Sequence, residues 1–180
     1  MRFFLNTLMR TKKRMPCGCL LDKPSYPQNE EWGSILWRVF HTLAELSGRQ
    51  SHPMMKADEM RAWPLLIKAI PAVLPCPFCK DHLLEWLKAK PFEPGDYSQW
   101  NSYIRTWFYD LHENVNQRLG KPTHPFHSLS QTYTETFRIK VSIQQFELVA
   151  KRAIKMDGLS ILSFNTWNKQ IKMLCSVYGI

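Results

Sequence analysis

No stretch of the 180 residues approaches the ~20 consecutive apolar residues that a membrane-spanning helix needs, so no transmembrane segment is expected. Neither GxGxxG nor GxxxxGK followed by Ser or Thr occurs, so both common nucleotide-binding fingerprints are missing. Five cysteines are too few to staple a disulfide-held miniprotein. With 44% apolar and 22% charged residues the composition is that of a folded chain, not of a fibre or a disordered tail. There is no internal repeat and no low-complexity tract. The length suits one domain, or one domain with an annex.

Acid is scarce at the two ends. Residues 1–31 carry 6 basic and 3 acidic groups, residues 32–120 carry 10 and 9, and residues 121–180 carry 8 and 3, which gives +3, +1 and +5 of the total +9. Basic ends can attract nucleic acid or an acidic membrane. A solvated surface is the simpler reading, and nucleic acid is not expected as a partner. The first 21 residues hold no acid and five basic groups, with a short apolar stretch interrupted by Asn6. That is weak as a secretory signal and poor in Ser for a mitochondrial presequence, so a basic N-terminal arm is expected over 1–31.

From Trp32 to about Gly120 the hydrophobic period is helical. Ile35, Leu36, Val39, Phe40, Leu43 and Leu46 form one apolar face. Trp100, Tyr103, Ile104, Trp107, Phe108, Leu111, Val115 and Leu119 form a longer one, with Ser98 as a cap candidate. Two further helices are expected, over about 56–70, kinked or divided at Pro64, and over about 77–88. The fold class is therefore mainly α, a four- to five-helix bundle over 32–124, with a small α/β or helical annex over 125–180. In the annex, Phe137-Arg138-Ile139-Lys140-Val141 alternates like a strand. Ser142 with Gln145 resembles a capping box opening a helix that Asp157-Gly158 stops, and Trp167, Ile171, Leu174 and Tyr178 recur at helical spacing.

Cys76-Pro77-Phe78-Cys79 carries the chemistry. Pro77 suits the first position of a helix, whose free N–H groups and dipole favour a thiolate, and two intervening residues let the sulfurs meet across that turn. Taken alone, the pair could also be half of a zinc site completed by Cys17 and Cys19, a non-enzymatic module whose basic ends touch nucleic acid. Trp37 and His41 share a face four residues apart, and Trp107, His112 and Asn116 repeat the theme on the long helix. Two helices offering Trp, His and Asn beside a redox-capable pair suit a planar cofactor with a polar edge, with Gly33 and Gly120 permitting close backbone approach.

Three blocks in order, Trp32-Gly33-x-x-x-Trp37-x-x-Phe-His41, Cys76-x-x-Cys79-x-x-His82 and Trp107-x-x-x-x-His112-x-x-Val115-Asn116-x-x-Leu119-Gly120-Lys121-Pro122, resemble the Erv/ALR family of flavin-linked sulfhydryl oxidases, over residues 30–124. The resemblance implies a helical bundle that binds FAD non-covalently, forms a homodimer, takes protein thiols as substrates and passes their electrons to molecular oxygen. It implies Cys79 as the flavin-side sulfur and Cys76 as the outer one. It implies Gly33, Trp37 and His41 as FAD contacts from the first helix. From the long helix it implies Trp107, His112, Val115, Asn116, Leu119 and Lys121, with His82 matching a position that varies.

The departures are specific. A His-Asn pair of the family reads His112-Glu113 here. Tyr109 stands where cellular members carry a Cys, and Thr123-His124-Pro125-Phe126 lacks its partner, so the structural disulfide between these segments is missing. This resembles the virus-encoded branch, which implies host cytoplasm or a virion assembly site, with the mitochondrial intermembrane space as the cellular alternative. Cys17-Gly18-Cys19 is the candidate shuttle pair, its strained ring making it comparatively oxidising. Cys175 falls on an apolar stripe and reads as an inert buried thiol.

Overall fold

The computed structural model describes residues 26–180. The expected basic arm, including Cys17-Gly18-Cys19, lies outside the described residues apart from its last few positions. Helix α1 spans Asn29–Leu46, with Gln28 and Glu31 closing a capping box and two acidic residues in its first turn, where the dipole favours them. Helix α2 spans Pro53–Ala69, opened by Pro53 behind the His52 cap. It runs through Pro64 without a break, so the expected division there does not occur; the burial of Trp63, Leu66 and Ile67 outweighs the one lost backbone bond. Helix α3 spans Pro77–Ala89 and α4 spans Trp100–Leu119. Ser98 is not the cap of α4: it lies in the 3₁₀ turn Tyr97–Gln99, which brings the buried Trp100 in as the first residue of the helix. Gly120, at φ 67, takes the left-handed conformation that ends α4.

After a single turn, α5 (Leu129–Thr132), come α6 (Thr136–Lys155) and α7 (Ile161–Val177). The annex is therefore helical, and the strand expected over 137–141 is the first turn and a half of α6. The alternation was misleading because only Ile139 of that stretch is buried, while Phe137 and Val141 are exposed. Ile139, Ser142, Phe146, Ala150 and Ala153 recur at helical spacing and face inward, so the longer period decides the structure. Ser142 consequently sits inside a helix, not at its cap.

α6 packs along α1 and α7 along α2, and α4 also packs against α1. The core is continuous from Leu36, Phe40, Leu66 and Phe108 to Phe146, Trp167 and Ile171. Burying Phe146 and Trp167, in edge contact at 4.9 Å, contributes on the order of 3 kcal/mol apiece and holds the C-terminal helices on the bundle. A buried carboxylate ties the far end. Glu59 accepts from the Gly48 N–H (2.8 Å), the Tyr178 hydroxyl (2.8 Å) and the Tyr97 hydroxyl (2.6 Å), and the Trp63 indole donates to Tyr178 (2.8 Å). Three donors satisfy a charge that would otherwise be costly to bury.

Candidate functional site

Pro75 and Pro77 end the preceding turn and start α3, so Cys76 becomes its N-cap and Cys79 its third residue. The Cys79 N–H donates to Cys76 Sγ at 3.3 Å, one of the free first-turn donors. Cys76 is buried at 2% exposure, whereas Cys79 is half-buried and its Sγ lies 3.8 Å from Asn29 Oδ1 in the first turn of α1. From Asn29 the residues Gly33, Trp37 and His41 follow at four-residue steps. They make one face of α1, a run of about 18 Å that begins at the cysteine pair.

The far end of that run is an aromatic and imidazole cluster. His41 Nε2 and His112 Nδ1 share a hydrogen bond of 2.9 Å. The Trp37 indole stacks on His112 with centroids 3.9 Å apart and planes 9° from parallel, and Tyr133 stacks on His41 at 4.7 Å. Burial, reinforced by the neighbouring imidazoles, lowers His41 to a pKa of about 3. Burial likewise lowers His112 to about 4. Both rings are thus neutral at ordinary pH, each with one donor and one acceptor nitrogen.

Of the residues expected on the long helix, α4 brings His112 and Asn116 to this side. Asn116 donates to Glu113 Oε1 (3.0 Å), which also accepts the His124 N–H (3.1 Å). Glu113 therefore clips α4 to the loop after it. Tyr109 packs edge-on against Phe126 at 5.1 Å, and the Arg105 guanidinium stands over the same ring. An aromatic pair and a carboxylate clip join the two segments, which carry no cysteines for a disulfide between them. Val115 is half-buried, Leu119 is 51% exposed and Lys121 is exposed. Trp107 is placed differently: it is buried against Trp86, Phe92 and Phe108, its indole donating to the Lys90 carbonyl. It supports the bundle between α3 and α4 and does not join the Trp37–His41–His112 cluster.

His82 lies on α3, one turn beyond Cys79, with its Nε2 2.8 Å from Asn114 Oδ1 on α4. Burial and the nearby Arg118 lower its pKa. The two residues span a groove of about 500 Å³ that starts at Phe78, next to Cys79, and runs between α3 and α4.

Three observations fit a planar cofactor with a polar edge. Among the described residues nothing lies within 4 Å of a Cβ built on Gly33, so they leave the helix face beside the cysteines as an open cradle. Glu113 Oε2 is buried with no hydrogen-bond partner among the described residues, an acceptor that a donor could meet. The ring stack of Trp37, His112, His41 and Tyr133 supplies flat apolar faces with neutral polar edges. Tyr133 was not foreseen, since a lone tyrosine in a polar loop carries no periodic signal; nor was Asn29, whose role appears only when α3 is folded against it. A metal site is not supported: among the described residues no three His, Cys, Asp or Glu side chains converge, and Cys17 and Cys19 lie outside them. Cys175, half-buried, has its thiol pushed up to about 11 by burial.

A model of the Erv1/Alr family matches residues 34–146. Over 106 residues the chain is 28% identical to the putative FAD-linked sulfhydryl oxidase 096R of Invertebrate iridescent virus 3, covering 59% of this chain and 68% of that protein. Over 98 residues it is 35% identical to the putative FAD-linked sulfhydryl oxidase 347L of Invertebrate iridescent virus 6, covering 52% and 84%. The FAD-linked sulfhydryl oxidase ERV1 of Oryza sativa subsp. japonica is 32% identical over 99 residues, 53% of this chain but only 45% of the rice protein. No solved structure matches.

Proposed function

We propose that this chain, which belongs to the Erv1/Alr family, is an FAD-dependent sulfhydryl oxidase that forms disulfide bonds in protein substrates and yields hydrogen peroxide from oxygen. The observation that carries the reading is the placement of Cys79 at the head of the α1 face whose next position, Gly33, is an open cradle. FAD, when bound, accepts the electron pair of a dithiol and returns it to oxygen. Gly33, Trp37 and His41 on α1 and His112, Val115, Asn116 and Leu119 on α4 would hold it, with Tyr133 closing the cluster and Lys121 meeting its phosphates. His82 would guard the α3 side, and Trp107 would act from beneath by fixing α4.

The chain's own steps follow from thiol–disulfide exchange. With Cys76 and Cys79 joined, an incoming thiolate attacks Cys76, the S–S bond breaks and Cys79 leaves as a thiolate on the α1 side. A second thiol then attacks the mixed disulfide and releases Cys76. The substrate has lost two electrons and two protons, and the pair holds the electrons. The N-terminal N–H groups of α3, one of them already on Cys76 Sγ, favour the thiolate at each departure. His41 and His112, kept neutral, offer hydrogen bonds without adding positive charge. Cys17 and Cys19 are read as the shuttle that carries substrate electrons to Cys76. A homodimer would use surface other than the faces of α1 and α2, which α6 and α7 cover.

Oxygen uptake with a small dithiol tests the reading. The parent chain is expected to turn over, and Cys79→Ser to keep its yellow colour while losing turnover by at least a thousandfold. A Cys79→Ser chain that still consumes oxygen at the parent rate would refute the role of the pair.

A further inference from the structure

Helix α6 carries apolar residues on two sides. Ile139, Phe146, Ala150 and Ala153 face the bundle. The opposite side, which a solvated helix fills with polar groups, holds Phe137 at 67% exposure, Val141 at 49% and Leu148 at 68%. At 3.6 residues per turn these three fall within about 40° of one another and form a row about 16 Å long. Single exposed apolar side chains are ordinary, whereas an aligned row of large ones marks a surface that something covers. Lys140 and Lys151 stand exposed along one edge of the row, and Lys155 at its end. No carboxylate of the described residues forms an ion pair with any of the three. The other edge holds Arg138 and Arg152, paired with Glu135 and Glu31. Glu147, the one acidic residue of α6, is turned to α7, where the Asn168 amide donates to it at 3.4 Å. α7 has no acidic residue and exposes Lys169 and Lys172. Residues 136–180 together hold 7 basic and 2 acidic groups.

We propose that the outward face of α6 is a docking surface for an anionic lipid bilayer, on which the folded helix lies flat. Whatever covers this face has to be apolar along a line and negative on its flanks. An acidic bilayer surface supplies both: headgroups for the lysines, and the boundary of the acyl chains for Phe137, Val141 and Leu148. Nucleic acid meets the lysines with phosphates but has no apolar counterpart for the row. A second copy of the same face would set lysine against lysine. A short peptide is usually seated in a groove, and the row stands on the convex side of one helix.

The inner side of α6 is already fixed in the core by Phe146 and Ala150, so the helix meets the bilayer preformed and binding does not have to offset the entropy of ordering it. Each lysine close to an acidic surface contributes about fivefold in affinity, so the three together contribute about a hundredfold. Salt screens that part, whereas the apolar row contributes a part that salt does not remove. None of these residues belongs to the cysteine pair or to the Trp37–His41–His112 cluster, so the docking face and the oxidase reading can fail separately.

The test is sedimentation of the full chain with unilamellar vesicles, of phosphatidylcholine alone or with about one-third phosphatidylserine, in about 0.1 M salt. Binding at least tenfold tighter to the acidic vesicles is expected, and weaker binding to them in about 0.5 M salt. Lys140→Gln with Lys151→Gln is expected to weaken binding to the acidic vesicles about 25-fold, and Phe137→Ser with Leu148→Ser at least tenfold. All four positions are exposed, so both double variants should melt within a few degrees of the parent and, in solution, consume oxygen with a small dithiol at the parent rate. No binding to the acidic vesicles, equal binding to the two compositions, or double variants that bind as the parent does overturn the proposal. Vesicle binding that the lysine pair controls and the apolar pair does not marks a plain polyanion site and overturns it as well. Failure of the oxidase reading looks different: a parent chain that binds acidic vesicles but consumes no oxygen with a dithiol refutes the oxidase and leaves the docking face standing.

Discussion

Gly33→Ala separates cofactor space from folding space, because the two effects have opposite signs. Gly33 lies within α1, and a Cβ there meets no atom of the described residues within 4 Å. In the cofactor-free chain the substitution should therefore cost nothing in packing. It should gain up to about 1 kcal/mol, the usual advantage of alanine over glycine inside a helix. If the open cradle is where a flavin ring lies against the helix, the added methyl group overlaps that ring. Overpacking of this kind costs about 1–3 kcal/mol, which is roughly 5- to 150-fold in affinity. Urea unfolding of the FAD-free chain measures the first effect, and quenching of FAD fluorescence on titration measures the second. The expected result is a more stable apoprotein that binds FAD more weakly. A Gly33→Ala chain that binds FAD as tightly as the parent refutes the placement of the cofactor along this face.

His41 and His112 predict a pH dependence. Their folded pKa values, about 3 and about 4, lie below the usual 6.5, so between those limits the unfolded chain binds more protons than the folded one. Stability should be full above about pH 6.5 and fall by a few kcal/mol as pH drops towards 4; a flat stability profile across that window would contradict the neutral pair. Tyr178→Phe removes one of three donors on the buried Glu59 and the acceptor of the Trp63 indole. Denaturant unfolding should show a loss of about 1–3 kcal/mol, and a change below 0.5 kcal/mol would show the node to be dispensable.

Much of the helical bundle could be read from the residues, and the exceptions have physical causes. Pro77 after Cys76 announced a helix N-terminus, and α3 begins there. The four-residue spacing of Trp37 and His41, repeated by His112 and Asn116, anticipated two helices, and α1 and α4 bring Trp37 and His41 against His112. The start of α6 was misread because five residues of apolar–polar alternation resemble a strand, whereas burial follows Ile139, Phe146 and Ala150 over three turns. Trp107 shows the limit of a stripe argument: its spacing placed it on the right helix, but the aromatic neighbours that draw it beneath α3, Trp86 and Phe92, come from other segments. Tyr133 and Asn29 were illegible for the same reason. Each acquires its role from partners far away in sequence, and no local pattern marks it. Glu113, noted only as a departure, proves to hold α4 to the following loop.

The most direct measurement is the visible spectrum of the full-length chain after incubation with FAD and gel filtration, followed by anaerobic addition of dithiothreitol and then air. The account predicts a blue-absorbing oxidised flavin band that stays with the protein, bleaches with the dithiol and returns with oxygen. A folded chain that emerges colourless, or one whose flavin band ignores the dithiol, would contradict it.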